Sequence, residues 1–151
     1  MLEYLSKDFL NDGEIWLSLI KIADNKDKPG WLPAYHFNIM QGNKVVGLCD
    51  LRIGHNRNTF YGGNIGYEVY EDYRGNHYAQ KACRILFKLA RMNDMHCVFI
   101  TCNPENIASD KTLQSLNGDF IGTVILPEDN DMRLEFQAYC KHIYIFKTEE
   151  D

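Results

Sequence analysis

Apolar and polar positions divide the chain into a strand-rich first half and a second half in which helices alternate with strands. Glu14 to Ile22 is rich in Ile, Leu and Trp and reads as a strand. Asp24 to Pro33 is a polar loop carrying Pro and Gly. Ala34 to Met40 alternates, Gln41-Gly42-Asn43-Lys44 is a turn, and Val45 to Ile53 is the partner strand of a hairpin. Gly54 to Gly63 reads as a polar connection, and Ile65 to Tyr70 as a further strand. The period then lengthens. From about Asn76 to Met92, helical spacing puts Tyr78, Ala82, Ile85, Leu86, Leu89 and Met92 on one face. Val98 to Cys102 is a short apolar strand, expected to be buried on both faces.

A second helix follows. Asn103-Pro104 fits a cap with Pro at the first helical position, and Asn106 is the alternative cap. This helix runs to about Leu116 and stops at Asn117-Gly118. Phe120 to Leu126 and Ala138 to Phe146 are strands, separated by the acidic loop Pro127 to Asp131. The order predicts an α/β fold: a mixed sheet with helices on its faces and one right-handed crossover between the two middle strands. At 151 residues, a single domain spanning 1–151 is expected.

Charge changes the picture at one place. The chain carries a formal charge of -5, yet Tyr73 to Asn93 contains no Asp or Glu and holds Arg74, Lys81, Arg84, Lys88 and Arg91. Helix starts normally favour acids. An acid-free start leaves backbone N–H groups and the positive dipole end open to an external anion. The stretch Glu71-Asp72-Tyr73-Arg74-Gly75-Asn76-His77-Tyr78-Ala79, between a strand and a helix, therefore reads as a phosphate cradle. The five cysteines are odd in number and lack CxxC spacing, so neither a zinc nor a disulfide framework is expected, and reduced thiols fit a cytoplasmic protein. No signal peptide and no membrane-spanning stretch is expected, and the acidic balance argues against nucleic acid as a partner.

Arg74-Gly75-Asn76-His77-Tyr78-Ala79 resembles the Q/R-x-x-G-x-G/A cofactor motif of the GNAT acetyltransferase superfamily, with His77 where a Gly is usual. Asn106-Ile107-Ala108-Ser109, followed by Gly118-Asp119-Phe120, resembles that family's N-x-x-S/A segment and its closing Gly and aromatic. The resemblance covers roughly residues 34–146. It implies a GNAT-like, mostly antiparallel sheet whose central parallel pair, Ile65–Tyr70 and Val98–Cys102, splays for acetyl-CoA, with helices on both faces. It further implies that the backbone of Val69 pairs with pantetheine amides and that Gly75, Asn76, His77, Tyr78 and Ala79 offer N–H groups to the diphosphate. Arg74 would support the turn, and Asn106 and Ser109 would add contacts.

Two departures from the family bear on chemistry. The position of the family's usual acid, a Tyr, is Leu113 here, and the pair of helices between the first two strands is missing. The second implies an open acceptor pocket or one completed by a neighbouring subunit, as in a homodimer. The implied reaction is direct attack of a primary amine, on a small molecule or peptide, on the acetyl thioester. Glu68 is the first candidate for general base, ahead of His36 and His55, although a solvated strand Glu is the simpler reading. Cys102 reads as a small buried hydrophobe, and Lys88 and Arg91 as solvated charges. No metal is expected. The competing readings are an acyl-CoA-binding module without turnover, and another phosphate-ligand domain.

Overall fold

In the computed structural model, residues 2–130, 132–133 and 139–149 are described. Strands β1 (Trp16–Ala23), β2 (Ala34–Gln41), β3 (Lys44–Arg52) and β4 (Ile65–Val69) form an antiparallel sheet in sequence order. Strands β5 (Cys97–Cys102), β6 (Asp119–Ile125) and β7 (Cys140–Lys147) form a second antiparallel sheet in the order β5-β7-β6. The expected hairpin is β2 and β3, with a bulge at Ile39/Met40. Only the loop at residues 24–33 links β1 to β2, so no helix pair stands there. The last strand's expected start at Ala138, and Asp131 of the acidic loop, lie outside the described residues.

Among the described residues, the α-helices joining these sheets are α1 (Arg57–Gly62), α2 (Tyr78–Met92) and α3 (Ile107–Ser115). Helix α2 buries Tyr78, Ala82, Ile85, Leu86 and Leu89 as the spacing requires, and also Cys83 and Ala90. Met92 departs from expectation: it is the last residue of the helix and is exposed. The helix starts at Tyr78 rather than Asn76, since a 3-10 turn at Glu71–Tyr73 takes up the preceding chain. Inward residues Leu17, Phe37, Ile39, Cys49, Leu51 and Ile65 of the first sheet and Val98 and Ile100 of the second share one apolar core with α2. No helix of the described residues is long and apolar enough to cross a membrane.

Helix α1 corrects the reading of Gly54–Gly63 as a plain connection. Its six residues are held by a reciprocal cap: Asn56 Oδ1 accepts from the Thr59 N–H, and Thr59 Oγ1 accepts from the Asn56 N–H. It packs against the outward face of β5, where Phe60 meets Phe99 edge-on at 5.5 Å and the Thr101 hydroxyl donates to the Tyr61 carbonyl at 3.0 Å. Helices therefore cover both faces of the second sheet.

The two sheets meet at one end of a gap between β4 and β5. Asn64 closes that end. Its N–H donates to the Phe99 carbonyl at 2.6 Å, and its Oδ1 accepts the Phe99 N–H at 2.9 Å. Its Nδ2 donates to the carbonyls of Arg52 and Gly54. Asn64 is fully buried, and five hydrogen bonds satisfy it there, the fifth from the Arg52 N–H to its carbonyl. Gly63 precedes it at φ +83°, with its Cα so close to β5 that a Cβ would lie 3.2 Å from the Phe99 carbonyl and the Thr101 N–H.

Candidate active site

Register decides what faces the gap. The Arg52 N–H bonds the Asn64 carbonyl and the Tyr70 N–H bonds the Val46 carbonyl. In an antiparallel pair, hydrogen-bonded positions alternate with non-bonded ones. The pairs Leu51–Ile65, Cys49–Tyr67 and Gly47–Val69 are thus the non-bonded ones, and the main-chain groups of Ile65, Tyr67 and Val69 point away from β3, towards β5. At Asn64 the strands are joined; beyond it they part.

A cleft of about 510 Å³ opens there, lined among others by Tyr67, Glu68, Val69, Arg74, Asn106 and Ser109. Its far end is the start of α2. Gly75 sits at φ +89° with open space where a Cβ would be. His77 adopts the left-handed conformation, φ 61° and ψ 25°, which explains a family Gly at this place. His is one of the few side chains that tolerate that region, and His77 stays exposed. Its side chain makes no capping bond, and the first turn holds no acid. The N–H groups of that turn are therefore left without a side-chain cap, an arrangement that suits an anion.

The expected residues divide by role. Gly75, His77, Tyr78 and Ala79 line the cleft, whereas Asn76 does not; its Nδ2 donates to the Tyr73 carbonyl at 3.0 Å and braces the turn. Arg74 braces it too, donating from Nε to the Val69 carbonyl at 3.0 Å. Asn106, not Asn103, caps α3, because its Oδ1 accepts the Ser109 N–H at 3.1 Å. Leu113 is fully buried and offers no proton. Of the basic stripe, Lys81 pairs with Glu14 and Lys88 donates to the Phe9 carbonyl at 3.1 Å, so Lys88 is an anchor for the N-terminal segment rather than a solvated charge.

Sequence reasoning missed one pairing. The Tyr67 hydroxyl and Ser109 Oγ lie 2.7 Å apart, joining β4 to α3 in the cleft wall. Burial pushes the Tyr67 hydroxyl well above its ordinary pKa, against the opposing effect of the Ser109 bond. It therefore keeps its proton at neutral pH. Their separation of 42 positions in sequence leaves no local signal. Thr112, also on the cleft, follows Ser109 by one helical turn.

A second cleft of about 280 Å³ lies on the outward face of the first sheet, lined by Ile20, His36, Leu48, Asp50 and Glu68. Glu68 is exposed and borders both clefts. Burial raises the Asp50 carboxyl above its usual range, while Arg52 and His36 oppose the shift; burial lowers His36. His55 packs edge-on to Phe99 at 5.7 Å and lines neither cleft.

A ligand carrying a diphosphate and an amide arm fits these features. The uncapped start of α2 suits the first, and the main-chain groups of Tyr67 and Val69 suit the second. Asn103 Oδ1, one residue beyond β5, is sealed from solvent and has no hydrogen-bond partner among the described residues.

Comparison with known proteins agrees with this arrangement. The family model for the acetyltransferase (GNAT) domain matches residues 3–118. Among solved structures, the chain resembles the microcin C7 self-immunity acetyltransferase MccE in complex with acetyl-CoA and AMP, with TM-score 0.61 and 21% identity over 82% of this chain. It spans 64% of that protein's chain. RimL, the ribosomal L7/L12 alpha-N-protein acetyltransferase, matches with TM-score 0.59 and 20% identity over 78% of this chain and 72% of its own. The ribosomal-protein-S5-alanine acetyltransferase from Vibrio fischeri matches with TM-score 0.58 and 18% identity over 78% of this chain and 63% of its own. A search of curated protein sequences finds no match. With the family model spanning most of its length and the splayed gap in place, the chain belongs to the GNAT acetyltransferase family.

Proposed function

We propose that this chain is an N-acetyltransferase that moves an acetyl group from acetyl-CoA to a primary amine by direct attack. The observation that carries the reading is the gap between β4 and β5: main chain from Tyr67 and Val69 faces a cleft that ends at an uncapped, acid-free helix start. Bound acetyl-CoA would supply an acetyl thioester. The N–H groups at the start of α2 would hold its phosphates, and Arg74 keeps the turn in shape through Val69.

The protein must then manage two protons. An amine such as Lys, with pKa about 10.4, is mostly protonated at pH 7 and must lose a proton before attack. Glu68, exposed between the two clefts, would take it, directly or through water. The leaving thiolate gains from a nearby donor. Leu113 cannot be that donor, but the Tyr67–Ser109 hydroxyl pair can, with Ser109 donating to the thiolate, Tyr67 passing its proton to Ser109, and water in the cleft returning a proton to Tyr67. As acceptor we favour a peptide or protein α-amine over a small molecule. The support is that RimL and the Vibrio fischeri relative are named for acting on ribosomal proteins, and that Ile20 and Leu48, which line the cleft on the outward face of the first sheet, are exposed.

The test is release of free CoA thiol from acetyl-CoA with a panel of peptides and small amines. Release above the amine-free background, with mass spectrometry showing an acetylated amine, supports transfer. Tight acetyl-CoA binding with no release for any amine would instead favour a binding module, the reading that the buried Leu113 keeps open.

A further inference from the structure

Helix α3 places Asp110 against the second sheet, where it meets two side chains that neighbour each other across β5 and β7. Cys102 and His142 are register partners and project to the same face. Cys102 Sγ lies 3.8 Å from Asp110 Oδ1, and His142 Nδ1 lies 3.2 Å from the same oxygen. The three donor atoms all fall within 4.8 Å of one another. Among the described residues no other group of three such side chains converges in this way.

The spacing suits a metal ion. Zinc takes thiolate sulfur at about 2.3 Å and imidazole nitrogen or carboxylate oxygen at about 2.0–2.2 Å, in a tetrahedron. Donors around such an ion sit roughly 3.3–3.8 Å apart. The sulfur–oxygen separation of 3.8 Å and the nitrogen–oxygen separation of 3.2 Å lie close to that range, and the sulfur and nitrogen lie within 4.8 Å of each other. Sulfur, nitrogen and oxygen together favour zinc or cobalt over magnesium or calcium, which select oxygen alone.

The surroundings also suit an ion. Tyr144, two residues along β7, donates its hydroxyl to Asp110, and Gln114 Nε2 reaches the other carboxylate oxygen at 3.5 Å. Such outer contacts orient a ligating carboxylate. Cys102 is buried, while His142 and Asp110 each keep 20% of their side chains accessible, which gives an ion a way in. Hydrogen bonding explains the Tyr144 contact well. Hydrogen bonds to the same Asp110 oxygen hold the Cys102 thiol and the His142 ring in the metal-free chain, and a bound ion would replace them with bonds to the three donors.

We propose that Cys102, Asp110 and His142 form a site for one divalent zinc-class ion, with its fourth position left to water. Binding replaces the Cys102 thiol proton with a metal–sulfur bond and releases that proton to solvent. The ion would tie α3 to β5 and β7. Because Ser109 immediately precedes Asp110, the tie would fix the hydroxyl pair at the cleft. The site stands independently of the acetyl-transfer reading.

Cobalt(II) and then zinc(II) should be titrated into the metal-free full chain at neutral pH, followed by absorption spectroscopy. The expected result is one equivalent of cobalt with a near-ultraviolet thiolate-to-metal band and visible bands of a tetrahedral ion, all displaced by zinc. Cys102→Ser should lose the thiolate band, and His142→Gln should weaken binding by at least about tenfold, as loss of a ligand does at minimum. Cys140→Ser, beside the site in sequence but outside the trio, should change neither. Circular dichroism confirms that each variant is folded, and the cobalt spectrum of His142→Gln stands on its own if Cys102→Ser unfolds. No thiolate band, or equal binding by Cys102→Ser and His142→Gln, would overturn the proposal.

Discussion

The two ends of the gap between β4 and β5 are built in opposite ways. At the closed end, the buried side chain and backbone of Asn64 reach across to Phe99 and leave no polar group of that residue unpaired. At the open end, main chain from Tyr67 and Val69 faces the cleft, and side chains from other elements do the bracing: Arg74 on Val69, Ser109 on Tyr67. A sheet can be split where a ligand must enter only if the split is stopped by something stronger than one ladder bond. Here one asparagine stops it.

The largest effect should follow from attacking the closed end. Asn64→Ala removes three side-chain hydrogen bonds and leaves the Phe99 N–H and two carbonyls unpaired in the interior, at an expected cost of about 3 kcal/mol or more. Urea denaturation measures it. Acetyl-CoA affinity should fall as well, because the splay angle loses its stop.

At the open end, chemistry should suffer and stability should not. Ser109→Ala is expected to lower kcat by about 10²-fold, the lower range for a general acid, with KM for acetyl-CoA within a few-fold. Tyr67→Phe should do nearly the same, and the double variant should lose little more, since the hydroxyls act as one unit. Fully additive losses would contradict the relay. Because Tyr67 holds its proton above its ordinary pKa of 10.0, kcat/KM should rise with pH as the amine deprotonates and show no fall from Tyr67 up to that value. An alkaline decline at lower pH that disappears in Tyr67→Phe would count against it.

Gly47 sharpens the contrast from the neighbouring strand. A Cβ there would sit 2.2 Å from the Glu68 carbonyl, so Gly47→Ala must push β3 from β4, at an expected cost of about 1–3 kcal/mol. The melting temperature should drop, and the main-chain groups facing the gap should shift. The smallest effect belongs to His77→Gly. It relieves the left-handed strain of a residue with a Cβ, worth about 1–2 kcal/mol, but adds chain entropy to the unfolded state. The net change in stability should stay under about 1 kcal/mol, with CoA affinity retained because the contacts come from backbone.

How much of this was legible in the sequence depended on distance along the chain. The β2–β3 hairpin, the face of α2 and the acid-free helix start are local patterns, and they matched within a few residues. Helix α1 escaped because its six residues are too few to show an apolar period, with Phe60 and Tyr61 adjacent and the rest polar or Gly, although Asn56-x-x-Thr59 was its cap signal. Asn64 carries no local signal of its role, since that role needs Phe99, 35 residues away. The Tyr67–Ser109 pair and the Cys102–Asp110–His142 cluster are tertiary products of where α3 lands, which no spacing of those residues announces. The resemblance led to the turn at Arg74–Ala79, and the structure then sorted its members: Asn76 and Arg74 brace, while Gly75, His77, Tyr78 and Ala79 line the cleft.

Calorimetric titration of acetyl-CoA, CoA and ATP into the purified chain tests the central claim most directly. Micromolar binding of acetyl-CoA and CoA with much weaker binding of ATP is the result predicted by a gap that holds the pantetheine arm against β4. Equal affinity for ATP, or no heat from acetyl-CoA, would contradict it.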